Sequence, residues 1–118
     1  MELNWSESHL IVVLRVLVPF FRKHGFYLYR LEYDGFVRDG GYLEFKSNKD
    51  RMTFIFVWFP KFDVKIRIKK MLRYEEKSLL EMKKNDSEFS YLPEDYKGEE
   101  ELHDLLKGYT EFIESRIL

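Results

Sequence analysis

Near its N-terminus the chain has an apolar stretch, from Leu10 to Phe21, that only one basic residue interrupts. Ahead of it, Asn4 and Glu7 have the spacing of a capping box. The pattern predicts an N-terminal helix that is buried on more than one side. Pro19 lacks an amide donor and predicts a kink, and Gly25 suits the left-handed conformation that ends many helices.

From Phe26 onward, apolar residues recur with the period of two that is typical of half-buried strands. Turn-forming residues divide this stretch into four predicted strands, over residues 26–33, 41–47, 51–59 and 62–70. The short loops between them favour an antiparallel meander. The fourth strand alternates most clearly, with Phe62, Val64, Ile66 and Ile68 on one face and Asp63, Lys65, Arg67 and Lys69 on the other.

The pairing register of the third and fourth predicted strands determines which residues enter the core. If Phe59 lies opposite Phe62, the facing pairs are Val57 with Val64 and Ile55 with Ile66, and these six residues share the buried face. The opposite face then carries Phe54, Phe56, Trp58, Lys65 and Arg67, together with Tyr42 and Glu44 from the second strand.

After Lys70 the pattern predicts a short helix within residues 74–84, a loop over 85–98 and an amphipathic helix over 99–118. The apolar stripe of that last helix consists of Leu102, Leu105, Leu106, Tyr109, Phe112, Ile113 and Ile117. The sequence therefore predicts one α+β domain over residues 1–118. Its four-stranded antiparallel meander is packed on one face by the N-terminal and C-terminal helices.

Charge is balanced overall but divided along the chain. The formal net charge is -1, yet residues 1–74 carry 14 basic and 8 acidic side chains and residues 75–118 carry 6 and 13. The chain has no cysteine, which excludes disulfides and thiolate metal sites and fits a reducing cytosol. The apolar stretch is too short to span a bilayer and lacks a basic leader. We therefore expect a cytoplasmic protein with no membrane partner.

Catalytic chemistry has no clear signature. His9, His24 and His103 lie on different predicted elements without metal-ligand spacing, and no nucleophile motif accompanies them. The acidic run Glu99 to Glu101 opens a helix, where carboxylates oppose the macrodipole favourably. We therefore expect no enzymatic activity, no cofactor and no metal.

Two surfaces carry binding chemistry. The first combines Tyr42, Phe54, Phe56, Trp58, Lys65 and Arg67 on the outward sheet face. This face has three interpretations. Aromatic and arginine side chains anchor protein interfaces, and aromatic rings with cations also bind single-stranded nucleic acid. In the third interpretation, residues 71–98 fold over this face and bury it. The second surface is acidic and consists of Glu94, Asp95, Glu99, Glu100 and Glu101.

The order of elements carries a resemblance. A helix ending in Lys23-His24-Gly25-Phe26 precedes four strands and a last helix with the stripe from Leu102 to Ile113. This order resembles small bacterial proteins of α-β-β-β-β-α order, some of which are similar to immunity proteins of toxin systems. The resemblance implies a non-enzymatic protein-binding module that neutralises a toxin domain by direct binding. The alternative is a single-stranded nucleic-acid-binding domain that uses the aromatic and basic sheet face.

Overall fold

A computed structural model describes residues 5–34, 40–47, 49, 51–58 and 61–118. The elements, in chain order, are α1 (Trp5–Lys23), β1 (Phe26–Asp34), β2 (Gly40–Ser47), β3 (Met52–Val57), β4 (Asp63–Lys70), β5 (Arg73–Ser78), α2 (Leu79–Lys84) and α3 (Gly98–Arg116). The predicted cap Asn4 and the predicted strand residue Phe59 lie outside the described residues.

Helix α1 follows the apolar stretch and ends at Lys23, as predicted. Gly25 has a φ of 81°, which a residue with a side chain rarely adopts, so the expectation of a left-handed terminator is confirmed. Pro19 lies inside the helix on its exposed side, and the kink expected there stays a prediction. No described helix is both long enough and apolar enough to cross a membrane.

The sheet is antiparallel, with its strands in the order β1-β2-β3-β4-β5. The described residues thus form five strands, and the predicted four-stranded meander is wrong by one. Strand β5 pairs with β4 along Lys65–Ser78 to Lys70–Arg73. Its sequence, RYEEKS, has no apolar alternation, because an edge strand rich in charged residues need bury neither face.

The predicted register between the third and fourth strands is wrong. Phe56 lies opposite Val64 and Phe54 opposite Ile66, one residue away from the predicted pairing. A slip of one residue moves every side chain of a strand to the other face. Both registers keep Val64 and Ile66 in the core. The observed one additionally buries two phenylalanines, which remove more apolar surface from water than Ile55 and Val57 would.

The helices cover one face of this sheet, as predicted. From α1, Phe21 stacks on Phe45 with ring centroids 4.4 Å apart and contacts Phe54 at 5.1 Å. From α3, Tyr109 meets Phe62 at 5.6 Å. The predicted stripe of α3 is buried except for its last member, Ile117, which is partly buried against the core.

Residues 79–98 join the same core. Leu79 and Leu80 of α2, and Phe89 and Leu92 from the following loop, belong to the cluster that includes α1 and α3. Leu92 packs so closely on α3 that a Cβ at Gly108 would collide with its side chain. This segment therefore packs on the helix side of the sheet. The interpretation in which residues 71–98 cover the opposite face is wrong.

The observed register makes a direct prediction about stability. Phe56→Ala should lower the free energy of unfolding by about 3–5 kcal/mol, because it leaves a cavity beneath α1. Val57→Ala, on the opposite face of the same strand, is the matched control and should cost less than about 1.5 kcal/mol. Urea unfolding measures both changes. A larger loss for Val57→Ala than for Phe56→Ala would contradict the register.

Candidate binding surface on the outer face of the sheet

The sheet face opposite the helices is called the outer face. Strand pairing places four rows of side chains on it: Glu32, Tyr42, Val57 and Asp63; Arg30, Glu44, Ile55, Lys65 and Ser78; Tyr27, Lys46, Thr53, Arg67 and Glu76; and Lys69 and Tyr74. Glu44, Thr53 and Ile55 are buried although no helix lies over them. The centre of the face is thus closed to solvent, and it combines the apolar Ile55 with the polar Glu44 and Thr53.

Aromatic rings and cations contact each other on the β1 side of this face. A register shift between Leu28 and Arg30 leaves Tyr29 as an additional residue in β1. The Nζ atom of Lys46 lies 3.8 Å from the centroid of the Tyr29 ring, within the range of a cation-π contact. The guanidinium carbon of Arg30 lies 5.5 Å from the centroid of Tyr42. The bulge therefore brings an exposed tyrosine next to a cation.

Tyr42 holds the buried carboxylate of the outer face. Its hydroxyl donates a hydrogen bond to Glu44 Oε1. Burial is the main reason that the pKa of Tyr42 is raised to about 12, and the hydrogen bond to Glu44 and the negative charge of Glu44 raise it further. The positive charges of Arg67 and Arg30 act in the opposite direction. Tyr42 therefore remains a neutral donor over the physiological pH range.

Glu76 organises the other side of this face from strand β5. Its carboxylate lies 3.3 Å from a guanidinium nitrogen of Arg67 and 3.6 Å from Lys65 Nζ. All three side chains are about 40% exposed, so these ion pairs contribute little to stability. They fix the cations in position while leaving them accessible to a partner.

The structure separates the residues predicted for this surface. Tyr42, Lys65 and Arg67 lie on the outer face, as expected. The expectation for Phe54, Phe56 and Trp58 is wrong, because the shifted register turns them into the core. Phe54 and Phe56 are completely buried, and Trp58 is 6% exposed. They do not reach the surface at which a partner would bind.

Three other members of this surface were missed from the sequence. Tyr29 and Arg30 depend on a bulge, which has no clear sequence signal. Glu76 depends on a fifth strand that lacks apolar alternation. The two tyrosines at alternate positions 27 and 29 were the available signal, because two exposed aromatic residues on one strand are unusual for a solvated face.

The predicted acidic residues do not form one uniform group. Glu94 lies 3.5 Å from the buried Lys83 Nζ and 3.6 Å from Lys84 Nζ. Burial opposes ionisation, but the two lysines together hold the pKa of Glu94 below its usual value. Because Lys83 also donates to the Leu92 carbonyl at 2.7 Å, Glu94 helps to satisfy a buried cation. It is therefore part of the fold as well as of the acidic surface.

The remaining predicted acids are solvent-facing. Glu99, Glu100 and Glu101 occupy the exposed first turn of α3, and Asp95 accepts a hydrogen bond from the Tyr96 amide at 2.8 Å. Asp95 and Glu101 also line an open groove of about 330 Å³ beside α3. The groove contains further acids at positions 104 and 111, one lysine at position 107 and an exposed tyrosine at position 91. These carboxylates form the acidic surface in its observed form.

The histidines lie apart in the fold. His9 is buried and forms a hydrogen bond with the Tyr96 hydroxyl, His24 lies 3.2 Å from Glu114, and His103 lies 3.4 Å from Asp104. Within residues 5–34, 40–47, 49, 51–58 and 61–118, no group of three or more metal-binding side chains is found. The outer face therefore remains the candidate site.

Comparison with known proteins adds no family or neighbour: no protein-family model matches the chain, and no curated protein or solved structure shows significant similarity.

The hydrogen bond of Tyr42 predicts a pH dependence. Tyr42→Phe should lower the free energy of unfolding by about 1 kcal/mol at pH 7, because it removes the donor to Glu44. A raised pKa means that the unfolded chain loses the tyrosine proton first, so this stabilisation is complete below pH 10 and disappears as the pH rises towards about 12. Urea unfolding at several pH values measures the gap between the two proteins.

The control for this comparison is Tyr91→Phe, which removes an exposed hydroxyl and should leave the stability at pH 7 nearly unchanged. If the difference in the free energy of unfolding between wild type and Tyr42→Phe stays constant from pH 7 to pH 11, the proposed role of Tyr42 is contradicted.

Proposed function

We propose that the chain is a non-enzymatic protein-binding module that engages its partner through the outer face of the sheet. The observation that carries this proposal is the open sheet face itself. It presents tyrosines and arginines around the half-buried Val57, with the buried Ile55 beneath them. Tyrosine and arginine are enriched at protein interfaces because they combine apolar area with directed polar contacts.

The side chains of this face are held in place before any partner binds. Arg30 is paired with Glu32, Tyr42 with Glu44, and Arg67 with Glu76. An interface that is ordered in advance loses less conformational entropy on binding. Because their carboxylates are engaged by neighbours, these pairs favour recognition over acid-base catalysis.

The particular form that we propose is an immunity protein, which neutralises a toxin domain by direct binding. The order of helix, sheet and terminal helix supports it, although the sheet has one strand more than the resemblance implied. The acidic surface beside α3 would attract a basic nuclease, since complementary charge raises association rates. The outer face would then supply the lasting contacts, which mainly determine dissociation.

The alternative of a single-stranded nucleic-acid-binding domain loses most of its original basis. That proposal relied on Phe54, Phe56, Trp58 and Tyr42 as stacking platforms, and of these four only Tyr42 lies on the outer face. Lys65 and Arg67 remain as phosphate contacts, but each lies beside Glu76. The outer face therefore suits a protein partner better.

The test uses the product of a toxin-like gene adjacent to the gene for this chain. Co-expression should relieve the growth defect that the toxin causes, and the purified proteins should form a complex. Arg67→Glu should weaken that complex at least tenfold, because it places an acid at the outer face and breaks an exposed pair at little cost to folding. Surface plasmon resonance measures both rate constants.

Lys97→Glu is the matched control for the dissociation rate, since it makes the same charge reversal beside the acidic surface and outside the outer face. It should leave the dissociation rate nearly unchanged, whereas Arg67→Glu should raise it. Charge reversal of Glu100 and Glu101 should slow association at low salt and leave dissociation nearly unchanged. A complex that keeps its affinity in Arg67→Glu and in Tyr29→Ala would contradict the outer face as the binding surface.

A further inference from the structure

The turn between β4 and β5 projects beyond the rest of the sheet. Strand β3 begins its pairing with β4 at Met52 and Ile68, and the Lys69 amide donates one further bond to the Arg51 carbonyl at 2.8 Å. The last pair of the β4–β5 hairpin, Lys70 with Arg73, and the two-residue turn lie past this point. The hairpin therefore ends in a two-stranded tip, defined here as residues 69–73.

The turn of this tip holds two aliphatic residues that the fold leaves in water. Met71 is 95% exposed and Leu72 is fully exposed. Met71 also has a φ of 43°, in the left-handed region that tight turns usually fill with glycine or asparagine. Neither burial nor turn geometry accounts for these side chains, so their chemistry points to something outside the chain.

Cations surround the apolar turn. Lys69, Lys70 and Arg73 flank it, and residues 65–77 together carry six basic and two acidic side chains. Alternation along the strands directs Lys69 to the outer face and Lys70 and Arg73 to the opposite face, where Glu75 pairs with Lys70. The tip therefore presents Lys69 on one side of its aliphatic end and Arg73 on the other.

The acids in the first turn of α3, Glu99 to Glu101, lie near the other end of the sheet. His9 contacts Tyr96, which precedes α3, and also meets the Trp58 ring at 5.6 Å. Trp58 directly follows the end of β3 that is opposite to Met52. These three acids therefore lie away from the tip, and the tip keeps its local excess of basic side chains although the net charge of the chain is only -1.

We propose that this tip binds the surface of an anionic lipid bilayer. Met71 and Leu72 would enter the boundary between headgroups and acyl chains, and the flanking cations would contact the headgroups. A bilayer needs no matching pocket, and the turn itself offers no ring on which nucleic-acid bases could stack. The exposed ring of Tyr74, opposite Lys69, would lie at the headgroup level, where tyrosine is enriched. The expectation of no membrane partner rested on a missing spanning segment, which does not concern a surface contact. This inference is independent of the proposed protein partner.

The test is co-sedimentation of the purified chain with vesicles. The protein should bind phosphatidylcholine vesicles that contain about 30% phosphatidylglycerol and should not bind phosphatidylcholine alone. Replacing Met71 and Leu72 by serine, which keeps every cation, should weaken binding at least fivefold. Replacing Lys69 and Arg73 by glutamine should weaken it about fivefold for each charge removed.

Tyr91→Ser is the matched control, because it removes an exposed apolar side chain elsewhere and should leave vesicle binding unchanged. Circular dichroism and thermal unfolding confirm that the tip variants remain folded. Failure of the wild type to bind anionic vesicles at millimolar lipid would overturn the proposal, as would undiminished binding by the serine variant. Tighter binding to an oligonucleotide that depends on the same tip residues would overturn it in favour of nucleic acid.

Discussion

Whether the connection between β3 and β4 has an odd or an even number of residues determines which side chains of β3 enter the core. Val57 pairs with Asp63, so the five intervening residues place Phe54 and Phe56 opposite Ile66 and Val64 on one face. A connection of different parity would have turned both phenylalanines to the other face. The stack of Phe21 on Phe45, and with it the position of α1, depends on the same choice, because Phe21 also contacts Phe54 and Phe56.

Burying the aromatic residues on one side leaves the other side to shorter apolar residues and charges. Ile55 and Val57 are too small to anchor a second layer alone, so the outer face remains a surface of tyrosines, arginines and paired carboxylates. The segment after β5 could have covered it. That segment packs on the helix side instead, where Lys83 is held by the Leu92 carbonyl and by Glu94. The candidate binding surface is thus a consequence of core packing.

Sequence periodicity predicted the elements whose burial is one-sided and strong. The stripe of α3 and the alternation of β4 both have this property, whereas the end of α1 at Lys23 was predicted from Gly25. Strand β5 escaped prediction because an exposed edge strand needs no apolar pattern. The register escaped because β3 is apolar on both faces, from Phe54 to Trp58, so alternation alone could not distinguish its two sides.

The same limits applied to the candidate site. Tyr42, Lys65 and Arg67 were placed correctly, since they lie on strands whose two faces differ in polarity. Tyr29 and Glu76 required knowledge of a bulge and of strand pairing, which are tertiary features. The acids at the start of α3 are exposed, as the sequence predicted. The role of Glu94 beside the buried Lys83 could not be predicted from sequence spacing. The local sequence pattern therefore predicted on which face a residue lies better than it predicted which residues it contacts.

The most direct test of this account is the register of β3 and β4 in solution, measured by nuclear Overhauser contacts between backbone and side-chain protons across the two strands. The observed register predicts contacts that place Phe56 opposite Val64 and Ile55 opposite Lys65. Contacts that place Val57 opposite Val64 and Ile55 opposite Ile66 would contradict it. They would return Phe54 and Phe56 to the solvent-facing side of the sheet.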